Sequence, residues 1–309
     1  MNIIYQSRTE SWVNQPKICN TNNHKVEDQE PGFERLEDIS SDEYRRRLCQ
    51  TNKNVWVKIF SDPEGTITIP LSISQCKILA DASKIGFLTN ERSTLFKEEL
   101  DEIEFYISSS LKGSKIVKWF IRLNEASPKD GRYGCGPLMS AKEMVTSLAT
   151  SVRAHRAFLT SLELNQPNIL YLVPWREDWN EFLEFRVFIH KRRVTCFSQY
   201  IWHRDLGWNA SNIAVVAPRI IDYCDNSIIP KVDLESFVVD VTIVIPNPTI
   251  INENKIPVII DDTSFSIEVV ELNSFGAELA SGAALFHWLN DYNIMYGTHN
   301  NVVVRYISE

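Results

Sequence analysis

Ser266-Ile-Glu-Val-Val-Glu-Leu-Asn-Ser-Phe-Gly276 decides how this chain is read. Its β-branched residues predict a strand over 266–272. Glu271 and Asn273 then lie two residues apart on one face of the strand end, because strand side chains alternate. A carboxylate and an amide oxygen so placed are hard donors suited to magnesium. The stretch 237–245, Phe-Val-Val-Asp-Val-Thr-Ile-Val-Ile, is a second strand with one carboxylate in an apolar run. Burying Asp240 there is costly unless a partner or cation meets it. If the two strands pair, Asp240 approaches Glu271, and a divalent cation relieves the repulsion of the converging oxygens.

Two earlier segments also put polar groups into apolar strands. In 182–189 Leu183, Phe185, Val187 and Ile189 take one face, and Glu184 and Arg186 the other, where they pair with each other or serve a site. In 116–123 Arg122 interrupts an apolar strand, and Lys129 follows in the loop Asn124–Pro137, which carries Pro128, Gly131, Gly134 and Gly136. Cations there would hold phosphates opposite the magnesium. The phosphate loop G-x-x-x-x-G-K-[ST] and G-x-G-x-x-G are absent, so a nucleotide is held by another device. G-x-S-x-G and H-E-x-x-H are absent too.

Around these segments, residues 1–50 read as a polar extension with a short helix near 40–49. Strands are expected at 54–60 and 66–71, joined by a turn at Pro63 and Gly65. A helix is expected over 93–111, ended by Gly113. A second runs over 141–163, opened by the capping box of Ser140 and Glu143, with His155 packed on its apolar stripe. Further strands are expected at 169–173, 194–201 and 256–260, and a closing helix at 277–290. His190-Lys-Arg-Arg193 reads as a solvated hairpin tip. Mixed helices and strands, then an antiparallel-looking sheet, make an α+β fold.

The 309 residues are 44% hydrophobic and 23% charged, enough for a sizeable core in one domain or two lobes. With 32 Lys and Arg against 40 Asp and Glu, the net charge is −8, which argues against a general nucleic-acid binder. No stretch reaches the roughly 20 apolar residues of a membrane span, and the first residues do not read as a secretory signal. The six cysteines form no C-x-x-C pair, so free thiols in a cytoplasmic protein are expected.

In this order the motifs resemble the cell division cycle protein 123 family over about residues 90–290. The segments that carry the resemblance are Phe120-Ile-Arg-Leu-Asn-Glu-Ala-Ser-Pro-Lys-Asp130, Glu184-Phe-Arg-Val-Phe188, Phe197-Ser-Gln199, Val238-Val-Asp-Val241, Glu271-Leu-Asn-Ser-Phe-Gly276 and Leu285-Phe-His-Trp288. The resemblance implies an ATP-grasp fold, two lobes with a nucleotide cleft between them. The expected division is 1–50, a first lobe 51–172 and a second lobe 173–309. By the same resemblance Arg122 and Lys129 contact the phosphates of ATP, Ser127 belongs to the nucleotide-binding set, and Val173, Pro174 and Trp175 form the adenine hinge. Arg186 and Gln199 line the nucleotide site, and Asp240, Glu271 and Asn273 hold magnesium. Arg122 stands where the family has Lys, Glu125 where it has Trp and Glu271 where it has Asp, and the connection 246–265 is long. The implied role is an assembly chaperone for translation initiation factor 2, through its gamma subunit, or for a related protein partner. The alternatives are an ATP-dependent carboxylate-amine ligase working through an acyl phosphate, and a scaffold without turnover.

Overall fold

A computed structural model describes residues 2–28, 36, 38–60, 63–245, 265–298 and 300–308. The chain divides into two compact units, one of residues 60–176 and one of 1–59 with 177–309.

The unit 60–176 is built on a three-stranded antiparallel sheet of β2 (Ile67–Leu71), β3 (Trp119–Arg122) and β4 (Asn168–Pro174), with β4 central. Helices α4 (Ile73–Thr89), α5 (Lys97–Ser110), α6 (Ala141–Ala149) and α7 (Val152–Glu163) accompany it. They bury Leu79, Ile103, Met144 and Phe158 against Ile69, Ile121 and Leu172. Helix α4 starts at a capping box of Ser72 and Gln75 and stops at Asn90, whose φ of 57° is left-handed. Its apolar residues run round much of its girth, and that masks its period. Gly86 lets it approach α6: a Cβ there would stand 1.9 Å from the carbonyl oxygen of Ala149.

The helix expected over 141–163 is two helices. Ser151 breaks it, accepting a hydrogen bond from the amide of Ala154 at 3.0 Å while its hydroxyl donates to Asp130. Thr150 Oγ1 also accepts from the amide of Arg132 at 2.9 Å. The break is thus a dock for the loop after β3.

The other unit holds a six-stranded mixed sheet in the order β1-β9-β6-β5-β7-β8. Its strands are β1 (Asn2–Arg8), β5 (Glu184–His190), β6 (Arg193–Gln199), β7 (Phe237–Val244), β8 (Ser266–Ser274) and β9 (Asn301–Ile307). In the run β6, β5, β7, β8 each strand is antiparallel to its neighbour, whereas β9 lies parallel to both β1 and β6. Every residue of β7 is buried, the mark of a strand covered on both faces. Helices α1 (Glu10–Val13), α2 (Ser41–Cys49), α3 (Lys53–Trp56), α8 (Ala210–Tyr223) and α9 (Tyr292–Met295) complete the unit.

Several expectations are corrected here. Residues 1–50 are no separate extension: β1 forms a sheet edge, and 1–59 belong with 177–309. Residues 53–56 are a helical turn with Trp56 buried, in place of the strand at 54–60. Residues 277–290 form no helix. Their peptide groups are taken by residues 20–24, with Asn20 N donating to Ala284 O at 2.8 Å and His24 N to Ala277 O at 2.9 Å. Ala284 itself has a left-handed φ of 48°. Tertiary hydrogen bonds have overridden helix propensity. The strand expected at 256–260 lies outside the described residues.

Candidate functional site

Strand register gathers the site residues in the larger unit. Asp240 of β7 stands opposite Glu271 of β8 and opposite Arg186 of β5. Facing residues of paired strands point to the same side, with Cβ atoms about 5 Å apart. One row therefore runs across the whole sheet: Gln6, Arg305, Ser198, Arg186, Asp240 and Glu271. The next row on this face is apolar, with Phe188, Cys196, Val238 and Val303 under Phe286 and Trp288.

Asp240 is 1% exposed and Arg186 is 8% exposed. Arg186 Nε donates to Asp240 Oδ1 at 2.8 Å and Nη2 to Oδ2 at 2.7 Å, a bidentate fork. Asn273 Nδ2 adds a bond to Asp240 Oδ2 at 3.0 Å. Burial alone would discharge Arg186, but the Asp240 carboxylate outweighs it and raises the guanidinium pKa. The remaining arm, Nη1, donates to the carbonyl of Gly282 at 2.9 Å, and the guanidinium lies 4.9 Å from the ring centroid of Tyr200.

A second bidentate pair lies along the same row. Arg305 holds Asp291 through bonds of 2.6 and 2.7 Å, and reaches Leu285 O at 3.0 Å and Gln6 Oε1 at 2.9 Å. Between the two arginines, Ser198 Oγ accepts from the amide of Leu285 at 3.2 Å. The closing segment 276–291 is thus fastened to the sheet by Arg186, Ser198 and Arg305. Arg305 escaped the sequence reading, although it interrupts an apolar strand just as Asp240 does.

Gln199 is not brought to this face. It pairs with Phe185, one residue out of phase with Arg186, on the side where Phe185 meets Phe197 and Trp208. Its amide is spent internally: Nε2 donates to Ile201 O and Arg204 O, and Oε1 accepts from Ile307 N at 2.8 Å. The basic tip is structural too. Arg192 bonds the carbonyls of Ile229 and Val232, and Arg193 those of Gly297 and the Asn300 side chain.

In the smaller unit, Arg122 pairs with Tyr171 on the sheet face opposite to Ile121 and Leu172. Ser127 is buried, its Oγ has no hydrogen-bond partner, and its carbonyl accepts from Arg153 Nε at 2.9 Å. An unsatisfied buried hydroxyl in a loop is a feature that a ligand oxygen would relieve. Lys129 is half-buried in the same loop. Gly131 lets that loop lie on α6, where a Cβ would stand 2.5 Å from Ser147 O. Val173 and Pro174 pair with Phe120 and Trp119, and Trp175 N donates to Lys118 O at 2.9 Å. Glu125 accepts from Asn168 Nδ2 at 3.0 Å, and burial raises its pKa against the opposing pull of that bond and of Arg122.

Asp240, Glu271 and Asn273 offer two carboxylates and an amide on one face. Magnesium takes such donors and keeps waters and phosphate oxygens in the rest of its shell. The set fits the ion once Arg186 yields an Asp240 oxygen. Among the described residues, no cluster of three or more His, Cys, Asp or Glu is placed to hold a metal.

No family model matches the chain, and no curated protein matches it. Solved structures do. Cdc123 from Schizosaccharomyces pombe aligns with a TM-score of 0.62 and 17% identity, over 89% of this chain and 100% of that one. The chain has a Cdc123-like fold. A C-terminally truncated form of the same Cdc123 aligns at 0.57 and 17% identity, over 86% and 98% of the two chains. The α+β class expected from the sequence is thereby the class found. At 17% identity the likeness to Cdc123 is one of fold. No helix among the described residues is long and apolar enough to cross a membrane, and none of the six cysteines is in a disulfide.

Proposed function

We propose that this protein binds magnesium-ATP. The observation that carries the reading is the register of Asp240 with Glu271, which sets two buried carboxylates side by side with Asn273 bonded to one of them. Like charges directly opposed in a sheet are destabilising; Arg186 answers Asp240 in the structure, and a divalent cation would serve both carboxylates once Arg186 turns to phosphate. Asp240, Glu271 and Asn273 are assigned to the metal, and Arg186 to the phosphates. The family resemblance of the sequence assigns Arg122 and Lys129 to phosphate oxygens, Ser127 to the nucleotide, and Val173, Pro174 and Trp175 to the base. The unpartnered Ser127 hydroxyl supports its part of that assignment. Gln199 enters as a residue that braces the β6 end, since its own amide is committed internally.

The same resemblance carries the partner: we read the protein as a cytoplasmic, ATP-dependent assembly chaperone for the gamma subunit of translation initiation factor 2 or a related protein. A ligase that activates a carboxylate as an acyl phosphate would use the same metal and cations, which stabilise charge on a transferring phosphoryl group. Thermal-shift and calorimetric titrations with ATP, with and without magnesium, test the core of the reading. A native-state ligand at about 100 times its Kd stabilises by about 2.7 kcal/mol. An unchanged melting temperature at millimolar magnesium-ATP would refute nucleotide binding. A pulldown dominated by the gamma subunit supports the chaperone, and ADP release on adding amines supports the ligase.

A further inference from the structure

Gly282 stands between two polar side chains. Its carbonyl accepts from Arg186 Nη1 at 2.9 Å, and the rest of that guanidinium grips Asp240. A Cβ built on Gly282 would lie 2.5 Å from Asn20 Oδ1 and 3.6 Å from Arg186 Nη1. Asn20 begins a segment laid along the closing loop by main-chain bonds. Asn20 N reaches Ala284 O and Phe286 O, Ala283 N reaches Thr21 O, Asn23 N reaches Leu279 O, and His24 N reaches Ala277 O. Side chains complete the fastening: Asn20 Oδ1 accepts from Ala284 N at 3.2 Å and Thr21 Oγ1 from Trp288 N at 3.1 Å. Asn20 and Asn23 hold φ near 50°, a conformation asparagine tolerates better than most residues.

We propose that residues 20–24 are an autoinhibitory latch, which fixes the Gly282 carbonyl and through it keeps Arg186 closed on Asp240. The inference rests on the reading of Asp240, Glu271 and Asn273 as magnesium ligands. Both Asp240 oxygens are engaged by Arg186, and Oδ2 is shared with Asn273. Magnesium needs near-octahedral oxygens at about 2.0–2.1 Å, and a guanidinium on the same carboxylate repels it. Arg186 must release an Asp240 oxygen for the ion to enter, turning toward phosphate oxygens that its fork also fits. That turn breaks the bond to Gly282 O, which the latch holds in place. Coupling of this kind is reciprocal: whatever the latch takes from metal affinity, the metal takes from the latch.

The test compares the full-length wild type with Asn20→Gly/Thr21→Ala. Glycine adopts φ near 50° freely, and each change removes one side-chain acceptor. Calorimetry with magnesium-ATP should give binding about tenfold tighter in the variant, within the usual range of coupled sites, although the variant is less stable. Wild-type protein that binds only weakly or not at all, with binding recovered in the variant, would have the same meaning. Equal or weaker binding by the variant overturns the latch and leaves the metal assignment standing. No binding by either protein overturns both. Hydrogen exchange without ligand decides the linkage separately: Arg186→Lys should speed exchange of amides 20–24, and unchanged exchange there overturns it.

Discussion

Asp240 is a buried carboxylate inside an apolar strand of the larger sheet, and the proposed metal site depends on it. Removing it strands Arg186, 8% exposed, without its counter-charge. Breaking a buried pair from one side costs about 3–5 kcal/mol. Asp240→Ala should therefore abolish magnesium-ATP binding and also lower stability by that order in chemical denaturation. Glu271→Ala should abolish binding at a smaller stability cost, since the Arg186–Asp240 fork survives. Glu125 gives the opposite sign. Its folded pKa is raised by burial, so the fold favours the protonated form. Its stabilising contribution is full below the unfolded pKa near 4.5 and is lost as pH rises through the folded value. Glu125→Gln keeps an acceptor for Asn168 and should raise the melting temperature at neutral pH, with the gain shrinking as pH falls toward 4.5. A gain that is constant with pH would contradict the assignment.

At the scale of elements, two close approaches decide whether helices pack. Gly86 sits inside α4, where alanine is intrinsically better by about 1 kcal/mol. The Ala149 carbonyl would be 1.9 Å from the new Cβ, and overpacking of that kind costs about 1–3 kcal/mol or more. Gly86→Ala should therefore destabilise the unit 60–176, and a stabilised variant would mean that α4 and α6 sit further apart. The strand faces were largely readable: the lone Asp240, the Glu271–Asn273 spacing and the Glu184–Arg186 alternation all gave the face that the register confirms. Helix α4 was not readable, because its apolar residues hide a 3.6-residue period. Its Ser72 and Gln75 capping box and the terminal Asn90 were the available signals. The α6–α7 break was hidden as well, since its cause is Asp130, twenty-one residues upstream of Ser151.

Across the whole molecule, the first residues and the last strand close the larger sheet. Strand β9 joins β1 to β6 in parallel, and Arg305 ties β9 and, through Gln6, the β1 edge to the closing loop. The latch and loop also carry two histidines, His24 and His287, whose ring centroids lie 5.4 Å apart with the planes tilted by 35°. Burial lowers the pKa of His24 and of His287 below 6.5. A depressed histidine binds its proton more readily in the unfolded chain. Its stabilising contribution is then full above about pH 6.5 and is lost as pH falls through the folded value. The melting temperature should drop between about pH 7.5 and about pH 5.5, and His24→Gln should make that drop smaller. A drop of the same size in the variant would assign the acid sensitivity to other groups.

The sequence by itself determined the α+β class, most strands, and the shared strand face of Asp240, Glu271 and Asn273. It could do so because alternation along a strand is local, and a carboxylate in an apolar run is conspicuous wherever it folds. Only the tertiary structure decided that Arg186 closes on Asp240, that Gln199 faces the other way, and that 277–290 is a loop beneath residues 20–24. Those outcomes depend on which distant strand or segment supplies the hydrogen-bond partner. A partner 54 or 258 residues away, as for Arg186–Asp240 and Asn22–Ala280, leaves no trace in local periodicity.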